Sequence, residues 1–253
     1  MPRMIVVLMG PAGSGKTTLT AALGKWIEEN QGHSVGYINL DPGAETLPYN
    51  PDFDVREWFT IEDIMVKEGL GPNGAMIRAS ELLVEKSREL RKILHSIEKE
   101  VLIVDTPGQS EIFIFRPAGP AITRLLRWVA TTIGIYLVDP TITPILSEAT
   151  TSLLMGLIVQ LRLNIPVVPA VTKADLVRLE LGETLVIGLE KVRELASKEL
   201  QGALKEVIPR LIDLMVEYMP SVRLVKVSAK TGEGLEELYQ LIYETYCSCG
   251  DLT

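Results

Sequence analysis

Apolar residues gather along this chain in short, nearly unbroken runs: Met4–Met9, Val35–Leu40, Val101–Val104, Gly134–Val138, Val167–Val171 and Leu224–Val227. These runs are rich in β-branched residues and do not alternate with polar ones, the pattern of strands covered by helices on both faces. Helix-length amphipathic segments follow most of them, over Lys16–Asn30, Gly74–Glu98, Pro117–Ala130, Ser147–Leu161 and Leu235–Tyr246. Such alternation predicts an α/β fold: a doubly wound, mostly parallel sheet flanked by helices, with its ligand at the C-terminal edge of the strands. Two regions depart from the alternation. Residues 41–75 are rich in Pro, Gly, Asp and Asn, with a short helix expected near Thr60–Glu68. Residues 176–222 read as a helical insertion or lid, two helices with no strand between the runs at Val167 and Leu224. The whole span 1–253 is read as a single domain carrying these two elaborations.

Composition narrows the class. Of 253 residues, 47% are hydrophobic and 23% charged, which suits a globular chain with a sizeable core. Acids outnumber bases 33 to 25, so direct nucleic-acid or anionic-membrane binding is not expected. The run after Arg3 is too short for a signal peptide, and the apolar stretch Val129–Val138 is broken by Asp139 and Pro140 long before a membrane span is complete. Two histidines, His33 and His95, and two cysteines, Cys247 and Cys249, make neither a multi-His metal site nor a disulfide framework. A cytoplasmic location is the expectation.

Residues Gly10–Thr17 read GPAGSGKT and match G-x-x-x-x-G-K-[ST], directly after a strand and opening a helix. Gly10, Gly13 and Gly15 let the backbone curl with its amides inward, and the helix adds its positive end. The loop Gly13, Ser14, Gly15 is therefore expected to cradle phosphates. Lys16 is expected on the β- and γ-phosphates, Thr17 on Mg²⁺ and Thr18 on the α-phosphate.

A second station, VLIVDTPGQ, ends a buried strand with an acid and a sharp turn. Asp105 is expected to hold the magnesium through a water, and Gly108 to offer its N–H to the γ-phosphate. Gln109 and Glu111 stand where they can orient an attacking water. Asp41, at the end of INLDPG, points at the same edge and can position a metal-bound water or accept its proton. The alternative for Asp41 is a plain Asp-Pro-Gly turn.

A third and fourth station, Val171–Asp175 (VTKAD) and Val227–Lys230 (VSAK), follow later strands. The Asp175 carboxylate can accept from both N1–H and N2–H₂ of guanine, which adenine cannot supply. Lys173 would lie over the ring, and the Ala229 N–H, beside Ser228, would meet O6.

Taken in order, these four stations resemble a P-loop GTPase. With Gly71-Pro72-Asn73 between the Asp41 loop and a long helix, the chain resembles the GPN-loop GTPases, of the same broad class as the signal-recognition and metal-insertion GTPases. The resemblance implies GTP and GDP as ligands, Mg²⁺ as cofactor and hydrolysis of GTP. It also implies a homodimer in which each Asn73 reaches the partner's nucleotide, and it assigns Asp41, Asp105, Gln109 and Glu111 to metal and water positioning. A plain helix N-cap is the alternative for Asn73. The usual N-K-x-D motif here carries Thr172 in place of Asn, which bears on affinity more than on the base chosen. Spacing alone nominates no arginine finger; Arg116 and Arg124 are candidates, with helix surface as the simpler reading. A protein client is expected of a switch of this kind. The competing reading is an ATP-dependent small-molecule or nucleotide kinase, favoured by the lid-like insertion and opposed by Asp175 and the S-A-K loop.

Overall fold

The computed structural model of the chain describes residues 3–139, 145–176, 185–188, 190, 193–194, 202, 204–218 and 223–250. The elements in chain order are β1 (Met4–Met9), α1 (Lys16–Gln31), β2 (Val35–Asn39), β3 (Phe53–Asp54), α2 (Ile61–Glu68), α3 (Pro72–Glu85), α4 (Ser87–Ser96), β4 (Val101–Asp105), α5 (Ser110–Phe115), α6 (Ala118–Val129), β5 (Thr131–Val138), α7 (Ile145–Leu163), β6 (Val167–Val171), β7 (Val186–Gly188), α8 (Leu204–Tyr218), β8 (Arg223–Lys226) and α9 (Leu235–Gly250). Strand order is β3-β2-β4-β1-β5-β6-β8-β7. All neighbours pair in parallel except β7, which runs antiparallel to β8 at the edge.

The continuous apolar runs are explained by two cores, one on each face of the sheet. Met4, Val6 and Leu8 face Leu19, Leu23 and Ile27 of α1 and Leu238 and Ile242 of α9. Ile5, Val7 and Met9 face the other way, into a core shared with Ala79, Leu83, Leu90, Leu94, Ile122 and Leu126. Every residue of β1 is buried. Each such aliphatic side chain contributes about 1.5–3 kcal/mol relative to exposure, so β1 is fixed in depth and register from both sides.

That register builds the site. Leu8 lies opposite Asp105 on β4, and Asp105 lies opposite Asn39 on β2. The loops after Met9, Asn39 and Asp105 therefore leave the sheet at one level. They do so beside the point where chain order reverses around β1, the usual position of a ligand in such sheets.

Several expectations are corrected. The helix expected over Gly74–Glu98 is two, interrupted at Lys86 (φ −88, ψ 8), whose ammonium lies 4.9 Å from the centroid of the Trp58 ring. The first half starts earlier, at Pro72, and the second ends at Ser96. The 176–222 insertion is not purely helical, because Val186–Gly188 adds β7 to the open edge of β8. The second of its helices appears as α8, with Ile212 and Met215 buried and Val207 and Leu214 about half exposed. The side chain of Val216 lies outside the described residues. Strand β3 and helix α5 were not expected; both are too short to show a period. Among the described residues, no helix is long and apolar enough to cross a membrane.

Candidate nucleotide site

The loop after β1 is shaped by backbone that only glycine tolerates. Gly10 sits at φ +151, and a Cβ there would lie 2.5 Å from the Leu137 carbonyl oxygen. Gly15 is left-handed (φ +88) and opens α1 without any side-chain cap, so the first amides of the helix are left for a ligand. The Ser14 hydroxyl is buried with no hydrogen-bond partner, an orphan that a phosphate oxygen would satisfy.

Lys16 folds back over this loop. Its ammonium donates to the carbonyls of Gly10 (2.7 Å), Pro11 (2.9 Å) and Gly108 (3.4 Å). Burial lowers its pKa, while the charges of Asp105, Asp41 and Glu111 oppose that shift. One contact was invisible in the sequence. Ser110, buried at the start of α5, accepts from the Gly10 amide at 2.9 Å, and its hydroxyl also donates to the Gly10 carbonyl oxygen. The serine thereby links the segment after β4 to the phosphate loop across 100 residues of sequence. No local signal marks it; a serine opening a helix reads as a cap.

Asp105 is fully buried at the end of β4. Burial pushes its carboxyl up to about 6, the Asp41 charge adds to that, and the hydroxyls of Thr17 and Tyr49 together with Lys16 oppose it. Tyr49 donates its hydroxyl to Oδ2 at 3.0 Å, while Oδ1 is buried with no hydrogen-bond partner. The Tyr49 phenol is itself held far above its usual range by burial and by the Asp105 charge.

Asp41 accepts from the amides of Gly43 (2.9 Å) and Gly108 (3.0 Å). The Gly108 N–H, expected to be free for a phosphate, is thus engaged by Asp41, while the Gly108 carbonyl is engaged by Lys16. Burial raises the Asp41 pKa against those two amide bonds. Below Asp41, buried Asn39 holds the turn: its Oδ1 accepts from the Asp41 amide at 3.0 Å, and its Nδ2 donates to Asp54 at 2.9 Å. Asp54 in turn makes a bidentate pair with Arg56, whose Nε donates to Oδ1 at 3.0 Å and whose Nη2 donates to Oδ2 at 2.6 Å.

Gly71 caps α3, Pro72 is its first residue and Asn73 its second. Asn73 is therefore not the N-cap, and the simpler reading of it falls away. Its Oδ1 lies 3.4 Å from the Nε2 of Gln109, so the two meet at the exposed rim of the site. Glu111 is exposed in the first turn of α5. Arg116 and Arg124 are exposed.

The base-side loops converge on the same place. Thr172 is buried, and its amide (2.9 Å) and hydroxyl (3.1 Å) both donate to the Val138 carbonyl, tying this loop to the end of β5 where Asn would be usual. Lys173 is left-handed (φ +55), rare for a residue with a side chain, and its ammonium pairs with buried Asp139. Ser228 donates to Asp175 Oδ1 at 2.6 Å, joining the two base-side stations directly. An open pocket of about 630 Å³ is lined by Ser14, Gly15 and Thr18 on one side and by Lys173, Asp175 and Ala229 on the other. Phosphate loop and base loops thus share one cavity.

For magnesium, Thr17 and Asp105 offer hard oxygen donors, and the orphan Oδ1 of Asp105 is an acceptor that a hydrated cation would satisfy. Among the described residues there is no group of three His, Cys, Asp or Glu side chains that could hold a metal by themselves.

Fold and site together define a P-loop nucleotide-binding protein. A family model described as "Conserved hypothetical ATP binding protein" matches residues 8–248. A GPN-loop GTPase of Pyrococcus abyssi is 41% identical over 99% of this chain and 100% of its own length. GPN-loop GTPase 1 of Dictyostelium discoideum is 30% identical over 94% of this chain, which spans 60% of that longer protein. A crystal structure of a Pyrococcus abyssi GTPase in apo form superposes with a TM-score of 0.82 at 37% identity, covering 97% of this chain and 98% of that one. The chain belongs to the GPN-loop GTPase family.

Proposed function

We propose that this protein is a Mg²⁺-dependent GTP-binding protein that hydrolyses GTP to GDP and phosphate, acting in the cytoplasm as a homodimeric switch or assembly factor for a protein client. The observation that carries the reading is the shared pocket, with phosphate-loop residues Ser14, Gly15 and Thr18 at one end and Asp175 and Ala229 at the other. A ligand with a phosphate chain at one end and a base at the other would reach both. Ser228 fixes one oxygen of Asp175 by donation, which leaves the rest of the carboxylate to accept from guanine N1–H and N2–H₂. The Ala229 amide then serves O6, which adenine lacks.

The mechanism follows from what the residues hold now. A triphosphate offers oxygens that compete for Lys16 and for the Gly108 amide. When Lys16 leaves the Gly108 carbonyl and the Gly108 N–H turns to the γ-phosphate, Asp41 loses that amide and is free to accept a proton or orient water. Gln109 and Glu111 flank the same edge and align the attacking water. Thr17 directly and Asp105 through a water would hold a magnesium ion, which when bound would neutralise charge on the β- and γ-phosphates. Asn73 at the rim is assigned to the partner's site across the dimer, its neutral amide able both to donate and to accept there. Its reach to its own Gln109 supports a location at the mouth of the site.

The family model's description favours one rival, an ATP-binding enzyme such as a small-molecule kinase. Titration calorimetry with Mg²⁺ separates the two. GTP and GDP are expected to bind and ATP to bind far more weakly, with all binding lost in Lys16→Ala. Preference for ATP overturns the GTPase reading.

A further inference from the structure

The segment from Asp41 to Asp52 carries a residue that no motif accounts for. Tyr49 is buried, and its hydroxyl donates a 3.0 Å hydrogen bond to Asp105 Oδ2. Its ring is held on three counts. It stacks on Tyr37 of β2 with centroids 5.0 Å apart and planes at 22°. Pro48 and Pro51 flank it within Leu47-Pro48-Tyr49-Asn50-Pro51, which limits the backbone on both sides. Asp52 then ties the segment to β2 twice, its amide donating to the Tyr37 carbonyl at 2.8 Å and its carboxylate accepting from the Tyr37 amide at 2.9 Å. A hydroxyl on so fixed a ring sets the plane of the carboxylate that it touches.

The chemistry of that contact is specific. Tyr49 is a neutral donor, so it orients Asp105 without cancelling the charge that a cation needs. An ammonium or guanidinium in the same place would compete with the metal. The bond takes Oδ2 and leaves Oδ1 buried without a hydrogen bond, while the Thr17 hydroxyl lies close enough to the same carboxyl to favour its charged form. We infer that Tyr49 is a positioning residue for magnesium: its hydroxyl fixes Asp105 so that Oδ1 is the oxygen presented to the metal's water shell. This rests on the reading that Mg²⁺–nucleotide binds beside Asp105. It further means that the segment bearing Asp41 is joined to the metal carboxylate through Tyr49, so the metal site and the water-orienting acid share one stiff element.

The test uses the full-length protein and a fluorescent N-methylanthraniloyl GDP. The Mg²⁺ concentration that half-maximally slows release of the probe is measured for wild type, Tyr49→Phe and Tyr37→Phe. Tyr49→Phe keeps the ring and its stacking, so the fold is retained and only the hydroxyl is removed. The midpoint is expected to rise roughly tenfold, the lower end of what losing a partner of a metal-ligating group brings, while release in EDTA stays at the wild-type rate. Tyr37→Phe, the matched deletion on the stacking partner, is expected to leave the midpoint unchanged. A Tyr49→Phe midpoint within twofold of wild type, or an equal shift in Tyr37→Phe, overturns the inference. Failure of the wild type to respond to Mg²⁺ at all is a separate result: it removes the metal assignment itself and the inference with it.

Discussion

Replacing Ser110 with alanine isolates the link between the phosphate loop and the segment after β4. The hydroxyl accepts from the Gly10 amide at 2.9 Å, and Ser110 is essentially inaccessible to solvent. The Gly10 carbonyl keeps its bond from Lys16 at 2.7 Å after the change, so the loss falls on the amide. That amide has little room to turn to another acceptor. Gly10 is at φ +151, with the Leu137 carbonyl and the Ser14 hydroxyl walling the space beside its Cα. A buried donor left unsatisfied costs about 1–3 kcal/mol, and for a chain of this size each kcal/mol lowers the melting temperature by about 2–4 °C. Ser110→Ala is therefore expected to melt about 2–12 °C below wild type. It is also expected to bind GDP more weakly in calorimetry, because the loop's first amide is no longer pinned. A melting shift under about 1 °C with unchanged GDP affinity would refute the reasoning.

Other outcomes follow from the same geometry. Folded Asp105 titrates near 6 against an ordinary 3.8, so between those values the folded state holds the extra proton; stability of the metal-free protein falls as pH rises through that window. The loss is up to about 3 kcal/mol, and Asp105→Asn in EDTA is expected to melt above wild type at pH 7.5 and level with it near pH 4. A variant no more stable than wild type at pH 7.5 would contradict this. Gly10→Ala forces a side chain against the Leu137 carbonyl; backbone strain alone costs about 1–3 kcal/mol, and nucleotide binding is expected to be lost while the fold, checked by circular dichroism, survives. Asn73→Ala is expected to slow hydrolysis and leave binding intact. In mixed dimers with Lys16→Ala, the partner's Asn73 is expected to restore turnover at the Asn73→Ala subunit's site; turnover that stays slow assigns Asn73 to its own chain.

How far this molecule was legible from its residues depended on the range of the forces involved. The strands at Met4, Val35, Val101 and Val167 were readable because burial on both faces demands continuous apolar residues. The phosphate loop was readable because backbone that wraps a phosphate requires glycine at fixed spacing. Helix α3 was misjudged in extent, since neither glycine nor proline marks the break at Lys86. Strand β7 was missed because its three residues are ordered by the free edge of β8 rather than by any local pattern. The contacts that set the site's electrostatics were the least readable. Ser110 to Gly10, Tyr49 to Asp105 and Gly108 to Asp41 join residues 100, 56 and 67 positions apart, and each side chain taken alone reads as an ordinary loop or cap residue.

The most direct measurement is the base preference of Asp175→Asn against wild type, by calorimetry with Mg²⁺ and the triphosphates of guanosine and xanthosine. Xanthine carries an acceptor oxygen where guanine has its amino group, so the asparagine amide donates where the carboxylate accepted. With two hydrogen bonds to a charged group at stake, each worth about 1.5–3 kcal/mol, wild type is expected to favour GTP by at least about a hundredfold and the variant to reverse the order. A variant that still prefers GTP as strongly as wild type would show that Asp175 does not read the base, and that the shared pocket does not seat a guanine nucleotide as described.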